Sequence, residues 1–206
     1  YKGLKGYKLL AHGITKNYPF PYAKVVNTQT IKIEKNIRDK YNWGFGVDID
    51  VFPIDGMPNN TNAIKKIFQL SKKSEFLLKS ATYKFGTGKT LASTISKNIG
   101  IMIFRFFELM GLTSVEKVLY SMAELNKDYN FNESELVAVT VVNIYGEKEL
   151  VPRSIFDEEL EVDFEDSKFI IPKGYDIYLR NHYGEYMQLP PIEKRVTHHV
   201  SRSYMK

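Results

Sequence analysis

Apolar and acidic residues alternate along residues 47–52, which read Val-Asp-Ile-Asp-Val-Phe. An alternation with a period of two predicts a β-strand. Because successive side chains of a strand point to opposite faces, one face is apolar and the other carries two acids. Val47, Ile49 and Val51 lie on the first face, and Asp48 and Asp50 lie on the second. Pro53 has no amide hydrogen to donate, so we expect the strand to end there.

The acidic face of this strand has two interpretations. Two carboxylates on one face repel each other unless a cation lies beside them. Acids at the end of a strand often hold a metal ion and a phosphate, which makes Asp48 and Asp50 candidate ligands. The alternative is a half-exposed strand whose two acids face water. Spacing alone favours the exposed strand, since two acids do not define a metal site.

The residues before this strand predict one helix and two strands. Residues 1–12 can form a short helix with an apolar stripe, although two glycines weaken it. Residues 22–26 and 28–35 have strand character. Lys24 and Lys32 are candidate phosphate ligands in these strands, or else ordinary surface lysines. We favour the surface interpretation for Lys32 and leave both open for Lys24.

Helical patterns dominate residues 60–128. A cap at Asn60 or Thr61 predicts a helix that reaches Phe76 or beyond. Residues 99–112 form the most apolar run of the chain, but a membrane span needs about 20 apolar residues. A buried helix is the favoured interpretation of this run, and an interfacial helix on a membrane is the alternative. The pattern Thr113-Ser-Val-Glu116 is typical of a capping box that begins another helix.

The C-terminal third predicts strands and one helix. Residues 136–142 indicate a buried strand. The acidic stretch 157–166 predicts an exposed hairpin, with its apolar side chains facing inward and Asp166 at the turn with positive φ. Residues 175–183 predict a helix that ends before Gly184.

One glycine-rich segment is not a nucleotide-binding loop. Residues 86–90 read Gly-Thr-Gly-Lys-Thr, and a P-loop needs a further glycine at position 83, where the chain has Tyr83. We therefore expect an ordinary loop.

Composition narrows the class of protein. A chain of 206 residues, of which 43% are hydrophobic, is long enough for one domain, here with a helical insertion at about 60–128. The absence of cysteine excludes disulfides and thiolate metal sites and favours the cytosol. The net charge of +5 suits an anionic substrate or a membrane surface. Nucleic-acid binding is disfavoured because no recognition motif accompanies the charge.

Two separated blocks resemble the LicD family of phosphotransferases. The first is the acidic strand at residues 47–52, continued by Pro53-Ile54-Asp55-Gly56. Asp50 matches the acid that family members carry in this segment. The second lies near the C-terminus and includes residues 169–176, 178–179, 183–187 and 189–191, followed by Arg195, His198 and His199. A weaker match lies at residues 23–30. Residues 59–136 match only as a helical region of suitable length.

The resemblance implies a fold and an activity. The fold is α/β (α+β), a nucleotidyltransferase-like mixed sheet with flanking helices. The activity is transfer of phosphocholine from CDP-choline to a sugar hydroxyl of a cell-surface glycan, such as teichoic acid or lipopolysaccharide. The donor is then a CDP-alcohol, and the acceptor is a glycan or lipid-linked glycan. Mg²⁺, or Mn²⁺ in its place, supports the reaction by neutralising phosphate charge.

The resemblance also assigns roles to individual residues. Asp50 is the catalytic carboxylate, either as the third metal ligand or as the base for the acceptor hydroxyl. Asp48 lies on the same face of the strand and is expected to support it as a further metal ligand. The expected phosphate ligands are Lys24, Arg195, His198 and His199. Our own inference adds Tyr183 or Tyr186 as an aromatic wall for the quaternary ammonium. A core position for both tyrosines is an equally good interpretation.

Family members carry a Gly-Gly motif and an Asp-rich motif upstream of the first block. Neither occurs here, so we expect both to precede Tyr1 and the 206-residue chain to be inactive alone. We expect a cytoplasmic protein, in peripheral contact with the inner face of the membrane if residues 99–112 are interfacial. The alternatives are a ribitol- or glycerol-phosphate transferase of the same family and a non-catalytic scaffold that binds glycan or lipid.

Overall fold

A computed structural model describes residues 5–41, 46–142, 145–195 and 201–206. The chain is 39% helical and 24% strand, which confirms an α+β protein. Among the described residues every strand pair is antiparallel. A mixed sheet with nucleotidyltransferase-like topology is therefore not confirmed.

The structure contains ten described strands, four α-helices and five short 3₁₀ turns. The strands are β1 (Tyr7–Leu10), β2 (Ala23–Asn27), β3 (Thr30–Glu34), β4 (Asp48–Val51), β5 (Asp55–Met57), β6 (Leu136–Ala138), β7 (Val151–Pro152), β8 (Glu159–Phe164), β9 (Ser167–Pro172) and β10 (Ser201–Met205). The helices are α1 (Thr61–Thr82), α2 (Leu91–Leu109), α3 (Val115–Ala123) and α4 (Tyr175–Tyr183). The 3₁₀ turns are Asp39–Tyr41, Phe131–Glu133, Gly146–Glu149, Arg153–Phe156 and Ile192–Lys194.

The chain divides into two compact units. The first unit comprises residues 1–53, 71–124 and 198–206, and the second comprises residues 54–70 and 125–197. The prediction of a single domain with a helical insertion at about 60–128 stays a prediction, although α1, α2 and α3 all lie in that range.

Two small sheets belong to the first unit. One has the strand order β1-β2-β4, and the other pairs β3 with β10. The helix predicted at residues 1–12 is wrong where the chain is described, because residues 7–10 form β1 against β2. Gly6 has a φ of +88°, a conformation that side chains disfavour, and it interrupts any helical pattern immediately before the strand.

The helices of the first unit enclose its main core. The C-terminal half of α1 packs with α2, α3 and residues 37–41 around a cluster of buried residues. Thr90 caps α2 and accepts a hydrogen bond from the Ser93 amide, and the amides of Gly86 and Gly88 bond to side chains of α2. Residues 86–90 form the predicted loop, which leads into the cap of α2. Ser114, not Thr113, caps α3.

The second unit is built on the sheet β5-β6-β7. The N-terminal half of α1 packs on this sheet through Ile64, Ile67 and Phe68. Asn60 accepts hydrogen bonds from the amides of residues 62 and 63, which confirms the predicted cap. The strand predicted at 136–142 is shorter than expected, because only residues 136–138 are paired.

The acidic stretch forms the predicted hairpin, β8–β9. Its orientation differs from the prediction, because Leu160 and Phe164 are exposed. The residue with positive φ at the turn is Glu165, with a φ of 54°, and not Asp166. Helix α4 matches its prediction and ends at Gly184, whose φ is +68°.

Candidate functional site

The acidic strand β4 lies beside β2, and the antiparallel register places Lys24 directly opposite Asp50. The ammonium of Lys24 donates to Asp48 and, at 2.5 Å, to Oδ1 of Asp50. Lys32 donates from β3 to Oδ1 of Asp48 at 2.7 Å, and it lies 3.2 Å from Glu34. We call Lys24, Lys32, Asp48 and Asp50 the Lys24 cluster. Two lysines thus provide the cations that the acidic face requires.

Burial separates the two acids of the Lys24 cluster. The side chain of Asp48 is 3% exposed and that of Lys24 is 7% exposed, whereas that of Asp50 is 36% exposed. The apolar side chains of the same strand face outward, and Ile49 is 71% exposed. The strand therefore covers its charged face and exposes its apolar face. Asp50 is the acid of this pair that solvent and a substrate reach more readily.

Aromatic rings surround the Lys24 ammonium. It lies 5.0 Å from the ring centroid of Phe20 and 5.4 Å from that of Tyr22, within the range of cation–π attraction. Phe52 extends this wall, with its ring centroid 4.6 Å from that of Tyr22. Burial and the neighbouring acids Asp50 and Asp48 raise the pKa of the Tyr22 phenol, so Tyr22 stays neutral. Lys24 is therefore held by two carboxylates and two aromatic faces.

The ion pairs of the Lys24 cluster shift the pKa values of Asp48 and Lys32. Burial raises the pKa of Asp48, but hydrogen bonds from Lys24 and Lys32 outweigh it and leave this pKa below its ordinary value. Burial lowers the pKa of Lys32, but Asp48 and Glu34 outweigh it and leave this pKa above its ordinary value. Both shifts keep the members charged near neutral pH. The cluster is an ion network at that pH.

The described carboxylates do not fit a metal centre as they stand. Both oxygens of Asp48 already accept hydrogen bonds from lysines, and Oδ1 of Asp50 accepts one from Lys24. Within the described ranges no group of three or more metal-binding side chains occurs. Mg²⁺ needs about six oxygen ligands. Asp50 offers one further oxygen, Oδ2, so the predicted Mg²⁺ or Mn²⁺ site stays a prediction, as does Asp48 as a ligand.

The other predicted site residues lie in the second unit or outside the described residues. Tyr183 contacts Tyr145 edge to face, and Tyr186 donates from its hydroxyl to Asp176 at 2.8 Å. Arg195 is exposed, and its Nε donates to the carbonyl of Pro190. The positions of His198 and His199 lie outside the described residues. Substrate binding by all five stays a prediction.

Lys32 is a functional candidate that the sequence interpretation assigned wrongly to the surface. It is half-buried and shares Asp48 with Lys24. The repulsion expected between the two acids was the signal that a second cation lay near. That signal does not identify Lys32, because the approach of β3 to β4 is a contact between distant parts of the chain.

Asp55 and Gly56, the last two residues of the first motif block, are closely packed in the second unit. A Cβ atom on Gly56 would lie 2.4 Å from Oγ of Ser134 and 2.6 Å from the carbonyl oxygen of Tyr129, closer than real Cβ atoms come. Asp55 accepts a hydrogen bond from Asn126 at 3.3 Å. These contacts show that Asp55 and Gly56 stabilise the sheet of the second unit.

Comparison with known proteins identifies one curated relative. The chain is 24% identical over 197 residues to the lipopolysaccharide cholinephosphotransferase LicD of Haemophilus influenzae, which covers 95% of this chain and 69% of that protein. No protein-family model matches the chain. No solved structure matches it either. The alignment spans both motif blocks and the helical region between them, and it supports the LicD-family relationship that the motifs predict.

Proposed function

We propose that this protein transfers phosphocholine from CDP-choline to a hydroxyl group of a cell-surface glycan. The relative's name supplies the transferred group and lipopolysaccharide as an acceptor. The motif at β4 supplies the chemistry, since the acid that matches the family, Asp50, is the more exposed acid of the Lys24 cluster. That exposure of Asp50 is the observation on which the proposal depends.

The reaction needs one bond formed and one broken. The acceptor hydroxyl oxygen attacks the phosphorus of the phosphocholine group, and the bond from that phosphorus to the bridging oxygen of the diphosphate breaks, so that CMP leaves. The proton of the hydroxyl goes to Oδ2 of Asp50, which acts as a general base. Lys24 holds Oδ1 of the same carboxylate and fixes its direction. Phosphoryl transfer depends mainly on such positioning and on charge stabilisation.

The donor alcohol is tested by thermal unfolding of the full-length protein. A ligand that binds only the native state at 100 times its Kd adds about 2.7 kcal/mol of stability. For a chain of this size that corresponds to a rise in Tm of about 5–10 °C. We expect CDP-choline with Mn²⁺ to give such a rise, well above the rise with CMP.

Each alternative predicts a different result in this experiment. A larger rise with CDP-ribitol or CDP-glycerol assigns the protein to that transferase activity instead. The absence of any rise with all four nucleotides contradicts the proposed donor class and favours the non-catalytic scaffold. The same series without Mn²⁺ tests the predicted metal, because a metal-dependent donor site loses its Tm rise.

We further propose that α2 contacts an anionic membrane surface. Within the described residues no helix is long and apolar enough to cross a membrane. The favoured interpretation of a buried helix is only half correct, because α2 buries Ile101 and Phe104 but exposes a continuous apolar stripe on its opposite side. Six residues at helical spacing form this outer face of α2, each between 46% and 88% exposed: Leu91, Ile95, Ile99, Met102, Phe106 and Leu109.

The positive charge of the first unit around α2 in the sequence favours an anionic membrane as the surface that the outer face of α2 contacts. Residues 71–124, the part of the first unit that contains α2, have eight basic and four acidic residues, a net charge of +4. An exposed apolar helix face in a positively charged part of a protein is typical of a helix that lies in the interface of an anionic bilayer. A cytoplasmic location at the inner face of the membrane remains part of this proposal.

Replacing Met102 and Phe106 together with Ser is expected to weaken binding to vesicles of phosphatidylglycerol at least about tenfold. Burying one such side chain contributes about 1.5–3 kcal/mol, and a tenfold change in affinity needs about 1.4 kcal/mol. Cosedimentation with the vesicles measures the change. The matched control replaces Ile170 and Ile177, two exposed apolar residues of the second unit, with Ser. Equal binding by both double variants and the wild type contradicts the role of α2.

A further inference from the structure

A positively charged pocket lies in the first unit, separate from the Lys24 cluster. A pocket of about 520 Å³ is lined by four basic residues together with Asp39 and Phe85. The basic residues are Arg38, Lys40, Lys84 and Arg105. The pocket shares no residue with the Lys24 cluster, and its volume lies within the range of about 300–1,000 Å³ typical of small-molecule sites.

Backbone hydrogen bonds build this pocket. The amide of Arg38 donates to the carbonyl of Thr82, and the amide of Lys84 donates to the carbonyl of Asn36, both at 2.8 Å. These bonds hold the turn after β3 beside the segment that follows α1. Arg105 reaches the same place from α2, and its Nη2 donates to the carbonyl of Tyr83 at 3.3 Å. Three separate segments therefore bring their cations to one rigid position.

The charges of the pocket do not balance. Arg38 and Lys40 share the carboxylate of Glu108, at 3.1 Å and 2.9 Å, and Lys84 binds Asp39 at 2.6 Å. Among these six charged groups, four cations face two acids. Arg105 has no carboxylate partner among the described residues. The pocket therefore carries a net charge of about +2 in this part of the chain.

Arg105 is the least satisfied of the four cations. Its guanidinium carbon lies 4.4 Å from the ring centroid of Phe85, which fixes the plane of the group. Its Nε is buried and has no hydrogen-bond partner in the described part of the chain. Burial and the like charge of Arg38 lower the pKa of Arg105. An unpaired buried donor on a repelled cation is costly unless an anion binds there.

We propose that this pocket binds the phosphate or diphosphate group of a ligand. A guanidinium fixed in plane offers Nε and Nη donors at the spacing of two phosphate oxygens. Lys40 and Lys84 are each more than 40% exposed, so their ammonium groups can turn from their acids towards a bound anion. The bound anion pairs with the Arg105 guanidinium, which has no carboxylate partner among the described residues, and neutralises the excess positive charge.

Titration calorimetry of the full chain with sodium pyrophosphate tests the site. We expect Arg105→Gln to weaken binding about 10- to 100-fold, because charge-assisted hydrogen bonds are lost. The matched control is Arg180→Gln, which removes the same charge from an exposed arginine of the second unit that is paired with Asp176 and Glu185. The control is expected to bind as tightly as the wild type.

A purely structural role for Arg105 predicts a different pattern. Without ligand, Arg105→Gln is expected to leave Tm unchanged or higher, since the arginine is poorly paired and repelled by Arg38. A fall in Tm together with unchanged pyrophosphate affinity would overturn the proposal. Undetectable pyrophosphate binding by the wild type would overturn it as well.

The source of the phosphate is distinguished by comparing three probes in the wild type and in Arg105→Gln. Inorganic pyrophosphate, CDP-choline and farnesyl diphosphate share the diphosphate and differ in what it carries. The probe whose affinity falls most in Arg105→Gln shows whether the bound phosphate is free, part of a nucleotide or attached to a lipid. This pocket does not depend on the proposed transferase activity, because it shares no residue with the Lys24 cluster. We therefore expect Asp50→Asn to bind pyrophosphate as tightly as the wild type.

Discussion

Replacing Asp50 with Asn is expected to reduce phosphocholine transfer at least about 100-fold while the protein stays folded. A positioned general base contributes about 10²–10⁴ in rate, and the amide of Asn accepts no proton at neutral pH. Folding is little affected because Asp50 is partly exposed and Lys24 keeps its contact with Asp48. The measurement is the rate of CMP release from CDP-choline by the full-length protein, together with its Tm.

The control for this variant is Asp163→Asn, which removes an exposed acid of β8 in the second unit. Transfer by Asp50→Asn at more than about half the wild-type rate, with matched Tm values, removes Asp50 from the reaction. The variant also separates the two roles of Asp50. A general base can be lost without changing the Tm rise caused by CDP-choline and Mn²⁺, whereas loss of a metal ligand diminishes that rise.

Replacing Asp48 with Asn is expected to have the opposite profile, a large loss of stability. Asp48 is almost completely buried and accepts hydrogen bonds from Lys24 and Lys32. Removing one partner of a fully buried ion pair typically costs about 3–5 kcal/mol. We expect about 1–3 kcal/mol here, because Lys24 keeps Asp50 and Lys32 keeps Glu34 while both lose a charge-assisted hydrogen bond. Urea unfolding of the wild type, Asp48→Asn and Asp50→Asn measures the difference. Equal midpoints for the two variants would show that burial does not distinguish these acids.

The pH dependence of stability provides a second measure of Asp48. Since its pKa is lower in the folded protein than in the unfolded chain, its contribution is complete above the unfolded value of about 3.9. The contribution is lost as the pH falls through the lower folded pKa. Lys32 acts in the opposite direction, because its raised pKa stabilises the fold below about 10.4 and ceases to do so at higher pH. Asp48→Asn is expected to reduce the loss of stability at acid pH, and Glu108, whose pKa is also lowered in the folded protein, keeps its own contribution.

The alternation in residues 47–52 was sufficient to predict β4 and its two faces. It was not sufficient to predict which face is covered, since a period of two defines two faces and leaves their environments open. Lys24 enters the site only through the pairing of β2 with β4, which is a contact between distant parts of the chain. The interpretation that spacing alone favours, two acids facing water, is wrong for Asp48, whose side chain is 3% exposed and bound by Lys24 and Lys32. Lys32 reaches Asp48 from β3, through another contact between distant parts of the chain.

The incorrect prediction of a helix at residues 1–12 has a related cause. Residues 7–10 have enough apolar residues for either a helix or a strand. Their conformation is decided by the unpaired edge of β2, to which they add as β1. A short segment with ambiguous periodicity takes the structure that its tertiary partner offers. Helices α1 and α4 were predicted closely because their caps and stripes are local signals.

Tyr183 is exposed and Tyr186 is half-buried, so the alternative core position does not hold for Tyr183. Tyr186 bonds to Asp176 on α4, and Tyr183 packs against Tyr145, so both rings already have partners within the second unit. Their proposed contact with a quaternary ammonium stays a prediction. In the Lys24 cluster, the aromatic faces of Phe20 and Tyr22 already lie beside a cation, Lys24.

The tight packing around Gly56 affects how active relatives of this protein can be distinguished from inactive ones. A descendant that has lost the reaction but kept the fold still needs a residue without a side chain at that position, because neighbouring backbone leaves no room for a Cβ. It also needs a buried acid between the two lysines. Glycine and Asp48 therefore mark common ancestry and architecture, and a genome survey that relied on them would count inactive copies as enzymes. Asp50 is the position at which active and degenerate copies are expected to diverge.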